Sequence, residues 1–248
     1  MKHLFVSLVL GCMILVTPCC HKGGSTPTTA HPCKLVSATA NNQGLITNYS
    51  FTYDSQERLI TVQSSGSAGT PYKETLTYGS NYIATYTDFS GIAGSRDTVF
   101  LDGSGNVSSI YMWGHNSSNK STITYTRDGQ GNPTKSVSVA ENGTTTTTLY
   151  SYTNGDLISG SSMGTPFSYE YYSDKPAAIN DALALQQFMT YGAIAYKSTH
   201  LCKRFQSTTI DETFAYTMDD KGNITDMVTS DATTGKAVST THFTYDCQ

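Results

Sequence analysis

Short runs in which aromatic or aliphatic residues alternate with Ser or Thr recur along most of this chain. Phe51 and Tyr53 fall on one side of such a run and Thr52 on the other, and Phe214 and Tyr216 repeat the arrangement. A period of two residues is the spacing of the two faces of a β-strand. The pattern therefore predicts an antiparallel sheet with one buried face and one face in water.

Turns rich in Gly, Asn and Asp separate these runs at a nearly regular interval. Such residues tolerate positive φ, which tight hairpins require. Five equivalent positions follow one another in steps of 25, 23, 25 and 26 residues, and they are Tyr53, Tyr78, Leu101, Thr126 and Tyr152. An interval of this size is typical of a repeat array.

Hairpins joined by short links favour an all-β, up-and-down antiparallel meander of about 14–16 strands. We expect most strands to be about 5–7 residues long, near the usual strand length. A sheet of this many strands twists and curls, so we expect a curled, barrel-like form that is partly or fully closed.

One insertion, at about residues 174–205, interrupts the pattern. Asp181 is placed to cap a short helix within residues 179–190. One interpretation is a helix that plugs the sheet end or barrel mouth, and the other is a loop that contacts a partner. The possible partner-loop residues are Phe188, Met189, Tyr191, Ile194 and Tyr196.

The composition excludes several classes of protein. Charged residues are only 14% of the chain and the formal charge is −4, whereas 38 Thr and 29 Ser supply small hydroxyls. Charge-rich disorder, coiled coils and helical bundles have other compositions. A nucleic-acid partner is excluded because it would require a basic face.

Residues 1–19 have the features of an export signal. A charged start is followed by the apolar run from Leu4 to Val16, which is too short to span a bilayer. The run leads to Cys19 and Cys20 in a stretch that resembles the lipobox of bacterial lipoproteins. We expect lipidation at Cys20, with Cys19 as the alternative, because processing at Cys12 would leave an apolar tail exposed. Residues 20–32 then form a flexible tether, and residues 33–248 form a single domain.

Three cysteines remain in the domain: Cys33, Cys202 and Cys247. Export places them in an oxidising compartment, where disulfides persist. Cys33 and Cys247 are the natural pair if the sheet brings its first and last strands together, although Cys202 could replace either. The wide spacing predicts no zinc site, and no other metal or cofactor motif occurs.

The Tyr-x-Tyr-Asp pattern resembles the YD/RHS-type repeat. The combination of a lipoprotein start, the Ser-Asp-Lys-Pro segment at 173–176 and the terminal Phe-Thr-Tyr-Asp-Cys at 243–247 resembles uncharacterised envelope lipoproteins of Bacteroidota. This resemblance implies a porin-like fold and an outer-membrane lipoprotein that faces the periplasm or the cell surface. It implies no catalytic residues.

The candidate chemical groups are sparse. His115, His200 and His242 lie in no motif for nucleophilic catalysis or metal binding. The turns at Asp102 and Asp128 look like calcium loops, but they offer too few carboxylates. We therefore predict no catalytic residue and no bound metal.

Three functional hypotheses follow. The first is a lipid-anchored envelope protein with a binding or structural role, whose partners are the membrane, through the lipid, and a glycan or an envelope protein. The second is an envelope hydrolase with a site near residues 170–205. The third is a membrane-spanning β-barrel, which short strands and a Ser/Thr face disfavour.

Overall fold

The computed structural model of this protein describes residues 33–67, 69–90, 92–114, 120–178 and 180–247. These residues form a closed barrel of sixteen antiparallel strands, each paired with its sequence neighbours, and the last strand pairs with the first. The strands are β1 Lys34–Asn42, β2 Leu45–Tyr53, β3 Leu59–Gly66, β4 Lys73–Tyr78, β5 Tyr82–Phe89, β6 Ile92–Leu101, β7 Val107–Trp113, β8 Lys120–Arg127, β9 Pro133–Ala140, β10 Thr145–Thr153, β11 Asp156–Ser162, β12 Thr165–Pro176, β13 His200–Ser207, β14 Asp211–Met218, β15 Ile224–Asp231 and β16 Ala237–Asp246.

The prediction of an up-and-down all-β barrel is confirmed, and the strand number lies at the top of the predicted range. The predicted strand length of 5–7 residues is wrong. Observed strands run from the 6 residues of β4 to the 12 of β12. The hydrogen-bonded strands also include Gly- and Thr-rich residues beside the turns. The aromatic positions alone do not mark these residues.

An aspartate organises the repeated turn. Asp102 Oδ1 accepts hydrogen bonds from the backbone N–H groups of Ser104, at 2.8 Å, and Asn106, at 2.9 Å. Gly105 supplies the positive φ of +79° that closes the turn. These hydrogen bonds hold the pKa of Asp102 below its usual range. The same pair of bonds, to residues two and four positions on, recurs at Asp54, Asp128 and Asp219.

The tyrosine of the repeat has a partner in the neighbouring strand. The Tyr53 hydroxyl donates to the carbonyl of Leu35 at 2.8 Å, beside a bulge in the β1–β16 ladder. Tyr78, Tyr171, Tyr216 and Tyr245 donate to main-chain carbonyls in the same way. A bulge disrupts the ladder, so the carbonyl beside it would lose its cross-strand hydrogen bond. The tyrosine hydroxyl donates to this carbonyl in its place.

One equivalence predicted from the sequence is wrong. Arg127, not Thr126, takes the fourth position, because Arg127 pairs with Pro133 as Tyr53 pairs with Leu59. The Arg127 guanidinium reaches the Val107 carbonyl at 2.6 Å. It therefore replaces the tyrosine hydroxyl as donor.

The Asp turns and both ends of the domain lie at one end of the barrel, which we call the turn end. The described residues of the segment 177–199 (177, 178 and 180–199), which we call the plug, enter the interior there between β12 and β13. The helix α1 spans Leu185–Tyr191, and its Leu185, Phe188 and Met189 are buried. It is shorter than predicted. Asp181 does not cap it, but accepts the N–H groups of Leu183 and Ala184 in the preceding turn.

The opposite end, which we call the far end, has a polar interior. A 16-stranded barrel is too wide for the wall side chains alone to fill it. The plug and the apolar side chains of the strands fill the turn end, where Leu59 and Ile224 are at most 1% exposed. The buried side chains toward the far end are Thr47, Ser64, Glu74, Thr87, Asp97, Ser136 and Thr229.

A disulfide joins Cys33, just before β1, to Cys247, just after β16. Cys202 is buried and free. Among the described residues, no helix is long and apolar enough to cross a membrane.

A candidate binding site in the outer wall

A shallow depression of about 460 Å³ lies in the outer wall across β4, β5, β6 and β7. Two rows of residues in cross-strand register form it. Ala84, Thr98 and Tyr111 are paired in one row. In the other, Tyr86 and Trp113 lie on either side of Arg96 on the central strand. Residues so paired put their side chains on the same face, so all six project outward.

The depression follows from side-chain size. Ala84 and Thr98 are short and lie at the centre of a patch whose other members are large. Thr75 and Thr77 of β4 border it on one side. Neighbouring strands are about 4.8 Å apart, so Tyr86 and Trp113 face each other across about 10 Å. The result is a small, hydroxyl-lined floor between aromatic rings.

Trp113 is the single tryptophan of the chain, and it is 39% exposed. The Lys120 ammonium lies over its ring, 5.6 Å from the centroid, and pairs with Glu141 at 3.0 Å. The Glu141 carboxylate thus pairs with the charge of Lys120 beside the indole. The rest of the ring faces water.

Arg96 is the distinctive polar group of the site. Its guanidinium lies over the Tyr86 ring, 5.3 Å from the centroid. Neither a hydrogen bond nor an ion pair ties it to the described residues. Each of the other three arginines is engaged: Arg58 by Asp54, Arg127 by main-chain carbonyls, and Arg204 by Glu170 and Asp211.

The inner side of the same wall carries two buried carboxyls. Asp97 Oδ1 accepts the backbone N–H of Trp113 at 3.2 Å, and Glu74 Oε2 accepts from the Thr87 hydroxyl at 2.5 Å. Burial raises the pKa of Asp97 to about 6 and that of Glu74 to about 7. Both groups support the wall from within the barrel, and neither points into the depression.

The histidines do not converge on a catalytic cleft. His200, at the start of β13, pairs with Asp156 at 2.8 Å, and His242, in β16, pairs with Asp226 at 2.9 Å. These are two separate pairs on different strands. His115 lies outside the described residues.

The described residues between 170 and 205 include ion pairs, and Asp181 there is buried and accepts backbone N–H groups. Arg204 bridges Glu170, at 3.1 Å, and Asp211, at 2.8 Å. No group of three or more His, Cys, Asp or Glu that could hold a metal occurs in the described ranges.

The predicted partner-loop residues lie in the plug, inside the barrel. Phe188 and Met189 are 6% and 4% exposed, and Tyr191 contacts Met112 of the inner wall. Tyr196 packs on Tyr150, and Ile194 is half-buried. These side chains are thus largely buried in the barrel interior. Their contact with a partner stays a prediction. The predicted lipidation residues, Cys20 and Cys19, lie outside the described residues.

No local motif in the sequence marks the depression. Tyr86, Arg96 and Trp113 are far apart in the chain, and only strand register brings them together. The one signal in the sequence is the single tryptophan, the last residue of the strand Val107–Trp113.

Comparison with solved structures finds similarity of fold. A porin-like protein from Bacteroides uniformis aligns with a TM-score of 0.60 and 14% identity, covering 86% of this chain and 96% of that one. A porin-like protein from Bacteroides vulgatus aligns with a TM-score of 0.39 and 13% identity, covering 86% of this chain and 98% of that one. No protein-family model and no curated protein matches the chain. The described residues thus have the fold of a porin-like protein. At 14% identity, this similarity shows the fold alone.

Proposed function

We propose that this protein is a lipid-anchored cell-envelope protein that binds a glycan in the outer-wall depression. The observation that carries the proposal is the site itself. The only tryptophan and two tyrosines surround a floor of small residues, on a wall otherwise dominated by Ser and Thr.

The chemistry of the depression suits a sugar. A pyranose ring has an apolar face that packs on a flat aromatic ring, as the exposed part of Trp113 allows. Its hydroxyls need partners at the edge, and Thr75, Thr77 and Thr98 offer hydroxyl groups there. The two rows are about 6.7 Å apart along the strands, so one or two sugar rings fit.

The outer wall supports a tethered barrel more than a spanning one. A spanning barrel presents an apolar band to lipid. Here the outward positions of β8 and β10 include Thr122, Thr124, Thr145 and Thr147. The observed strand lengths do not argue against a membrane-spanning barrel. The polar outer face is therefore the observation that supports a tethered barrel. The anchor itself is proposed from the sequence at Cys20.

The hydrolase hypothesis has less support. An acid–base mechanism needs titratable groups that meet around one substrate position. His200 and His242 each hydrogen-bond to a separate aspartate. Among the acids whose pKa burial raises, Glu74, Asp97 and Asp181 are buried inside the barrel. These placements support binding without catalysis.

Trp113 provides the test of glycan binding. Because it is the only tryptophan, its fluorescence reports on this site alone. We expect an oligosaccharide to change the emission of the purified full chain with saturation. Trp113→Phe should retain binding, measured by calorimetry, and Trp113→Ala should weaken it about tenfold or more, consistent with loss of an aromatic contact. The control Leu149→Ala removes an exposed side chain elsewhere on the wall and should bind normally. A flat response over a panel of neutral and acidic oligosaccharides would refute the proposal.

Lipidation and fractionation test the anchor. Cells fed an alkyne fatty acid should label the wild-type protein and not Cys20→Ala, and the variant should leave the membrane fraction. Cys19→Ala is the matched control and should still be labelled. If Cys20→Ala stays in the membrane through alkaline extraction, the barrel spans the membrane and the tether proposal fails.

A further inference from the structure

We propose that the outer-wall depression selects a glycan that carries a carboxylate, and that Arg96 binds this group. The inference rests on the proposed glycan binding and names the class of sugar. It is carried by a different observation, the Arg96 guanidinium, which makes no hydrogen bond or ion pair with the described residues.

Arg96 alone among the four arginines makes no hydrogen bond or ion pair with the part of the chain that the structure describes. Arg58 and Arg204 are held by carboxylates, and Arg127 by main-chain carbonyls. Each of these guanidiniums has its donors committed to the barrel itself. Arg96 has the same five donors and no hydrogen bond or ion pair within the described residues, so its donors are available to a ligand.

The position of Arg96 matches the aromatic surface. It lies between Tyr86 and Trp113 in the same cross-strand row, so its guanidinium and the indole are neighbours. The contact with the Tyr86 ring holds the side chain along the wall at the edge of the floor. A sugar packed on Trp113 therefore places its ring substituent within reach of Arg96.

A carboxylate is the substituent that this group recognises best. The planar guanidinium pairs with a carboxylate through two parallel N–H···O bonds, which adds orientation to charge. A neutral hydroxymethyl group at the same ring carbon can accept one weaker bond. The site thus distinguishes a uronic acid from the corresponding neutral hexose.

The local charge also favours an anion. Lys120, the other cation of the rim, is paired with Glu141. Glu74 and Asp97 lie on the inner face of the wall. Asp88, the nearest outward acid on β5, is in register with Lys73. Arg96 therefore contributes a positive charge to the depression that these groups do not cancel.

The experiment compares an oligogalacturonate with its methyl ester. Esterification removes the charge and keeps the rings and linkages, so binding of the two to the full chain isolates the carboxylate. We expect the wild-type protein to bind the acid about tenfold more tightly, since hydrogen bonds to a charged group are the stronger class. A sulfated galactan oligosaccharide forms a second arm, and we expect it to bind more weakly than the uronate, because sulfate lacks the planar two-oxygen geometry.

Two variants complete the test. Arg96→Gln should bind the acid and the ester equally, at the affinity of the wild type for the ester. Lys135→Gln removes one positive charge from an exposed position on β9 and should keep the tenfold preference. Thermal unfolding should show that both variants are folded.

Each result has a distinct meaning. Equal affinity of the wild type for the acid and the ester, or tighter binding of the sulfated sugar, would overturn the carboxylate inference and leave glycan binding intact. Binding of neither sugar by wild type and Trp113→Phe would overturn both. A preference that survives in Arg96→Gln would also overturn the role of Arg96.

Discussion

The two ends of the barrel interior are built from the same strands and differ sharply in content. At the turn end, the plug packs Leu185, Phe188 and Met189 against apolar side chains of the wall. Toward the far end, the same wall turns polar and buries Glu74 and Asp97. Both ends are made of hairpins with the same inward and outward alternation.

The difference shows how a wide barrel can be stable with an apolar core at one end only. Apolar burial supplies most of the favourable free energy of folding, and the turn end concentrates it. Buried carboxyls give up hydration, which the hydrogen bonds of the far end only partly replace. We therefore expect substitutions at the turn end to cost more stability than matched ones at the far end.

The largest effect should come from the plug. Phe188→Ala removes a ring that is 6% exposed and leaves a cavity, so we expect a loss of about 4 kcal/mol in the free energy of unfolding. The matched change Thr146→Ala, on a half-buried far-end position, should cost less than about 0.5 kcal/mol. Denaturant titration measures both. Equal losses in the free energy of unfolding would show that the plug does not supply most of the stabilising apolar burial.

The disulfide should rank next. It closes a loop with a sequence separation of 214 residues and so restricts the unfolded chain. We expect Cys33→Ser with Cys247→Ser to lose about 3 kcal/mol in guanidinium unfolding. Reductant should destabilise the wild type and leave the double variant unchanged. Cys202→Ala, which removes the free thiol, should still respond to reductant, and a loss of that response would point to a different pairing.

The pH dependence should come in part from the far end. Burial raises the pKa of Glu74 from 4.5 to about 7. Between these values the folded carboxyl keeps a proton that the unfolded chain has released, so stability falls as pH rises through this range. Asp97 acts in the same direction up to about pH 6, and Asp181, within the plug, up to about pH 7.

The variant Glu74→Gln isolates this contribution. It should be more stable than the wild type above about pH 7 by about 2 kcal/mol, and the gain should shrink toward pH 4.5. Glu141→Gln, an exposed acid on the same barrel, is the matched control and should leave the shape of the profile unchanged. A profile that Glu74→Gln does not flatten would refute the assignment.

The smallest effect should come from a single hydroxyl at the turn end. Tyr245→Phe removes the 2.8 Å bond to the Ile224 carbonyl, which keeps the Asn180 amide as a donor at 3.2 Å, and we expect a loss of about 1 kcal/mol in thermal or denaturant unfolding. Tyr82→Phe, whose ring lies on the outer wall, should cost nothing measurable. If the two variants behave alike, the Asn180 amide is sufficient for this carbonyl.

Much of the fold can be predicted from the sequence because local signals repeat. The alternation around Phe51 and Tyr53 gives the faces, and the Asp-x-x-Gly-Asn turns at Asp102 and Asp128 give the hairpins. The shift from Thr126 to Arg127 could not be predicted, because it depends on the bulge beside Pro133.

The candidate site depends on register over four strands. Arg96 and Trp113 are opposite each other only after the bulges of β5–β6 and β6–β7 are placed. No local pattern in the sequence fixes those bulges. Arg96 makes no ion pair with the described residues only because of how the wall folds. Its sequence neighbour Asp97 points to the inner face of the barrel, away from Arg96.

The Cys33–Cys247 bond has a consequence for how the chain can be cut and joined. The Cα atoms of the two cysteines are 4.2 Å apart, and β1 and β16 are paired like any other neighbours. The barrel is therefore a ring in which the order of the hairpins is fixed and the starting hairpin is arbitrary. A circular permutant that joins the natural ends and opens the exposed turn between β9 and β10 should fold to the same barrel, with the outer-wall site unchanged.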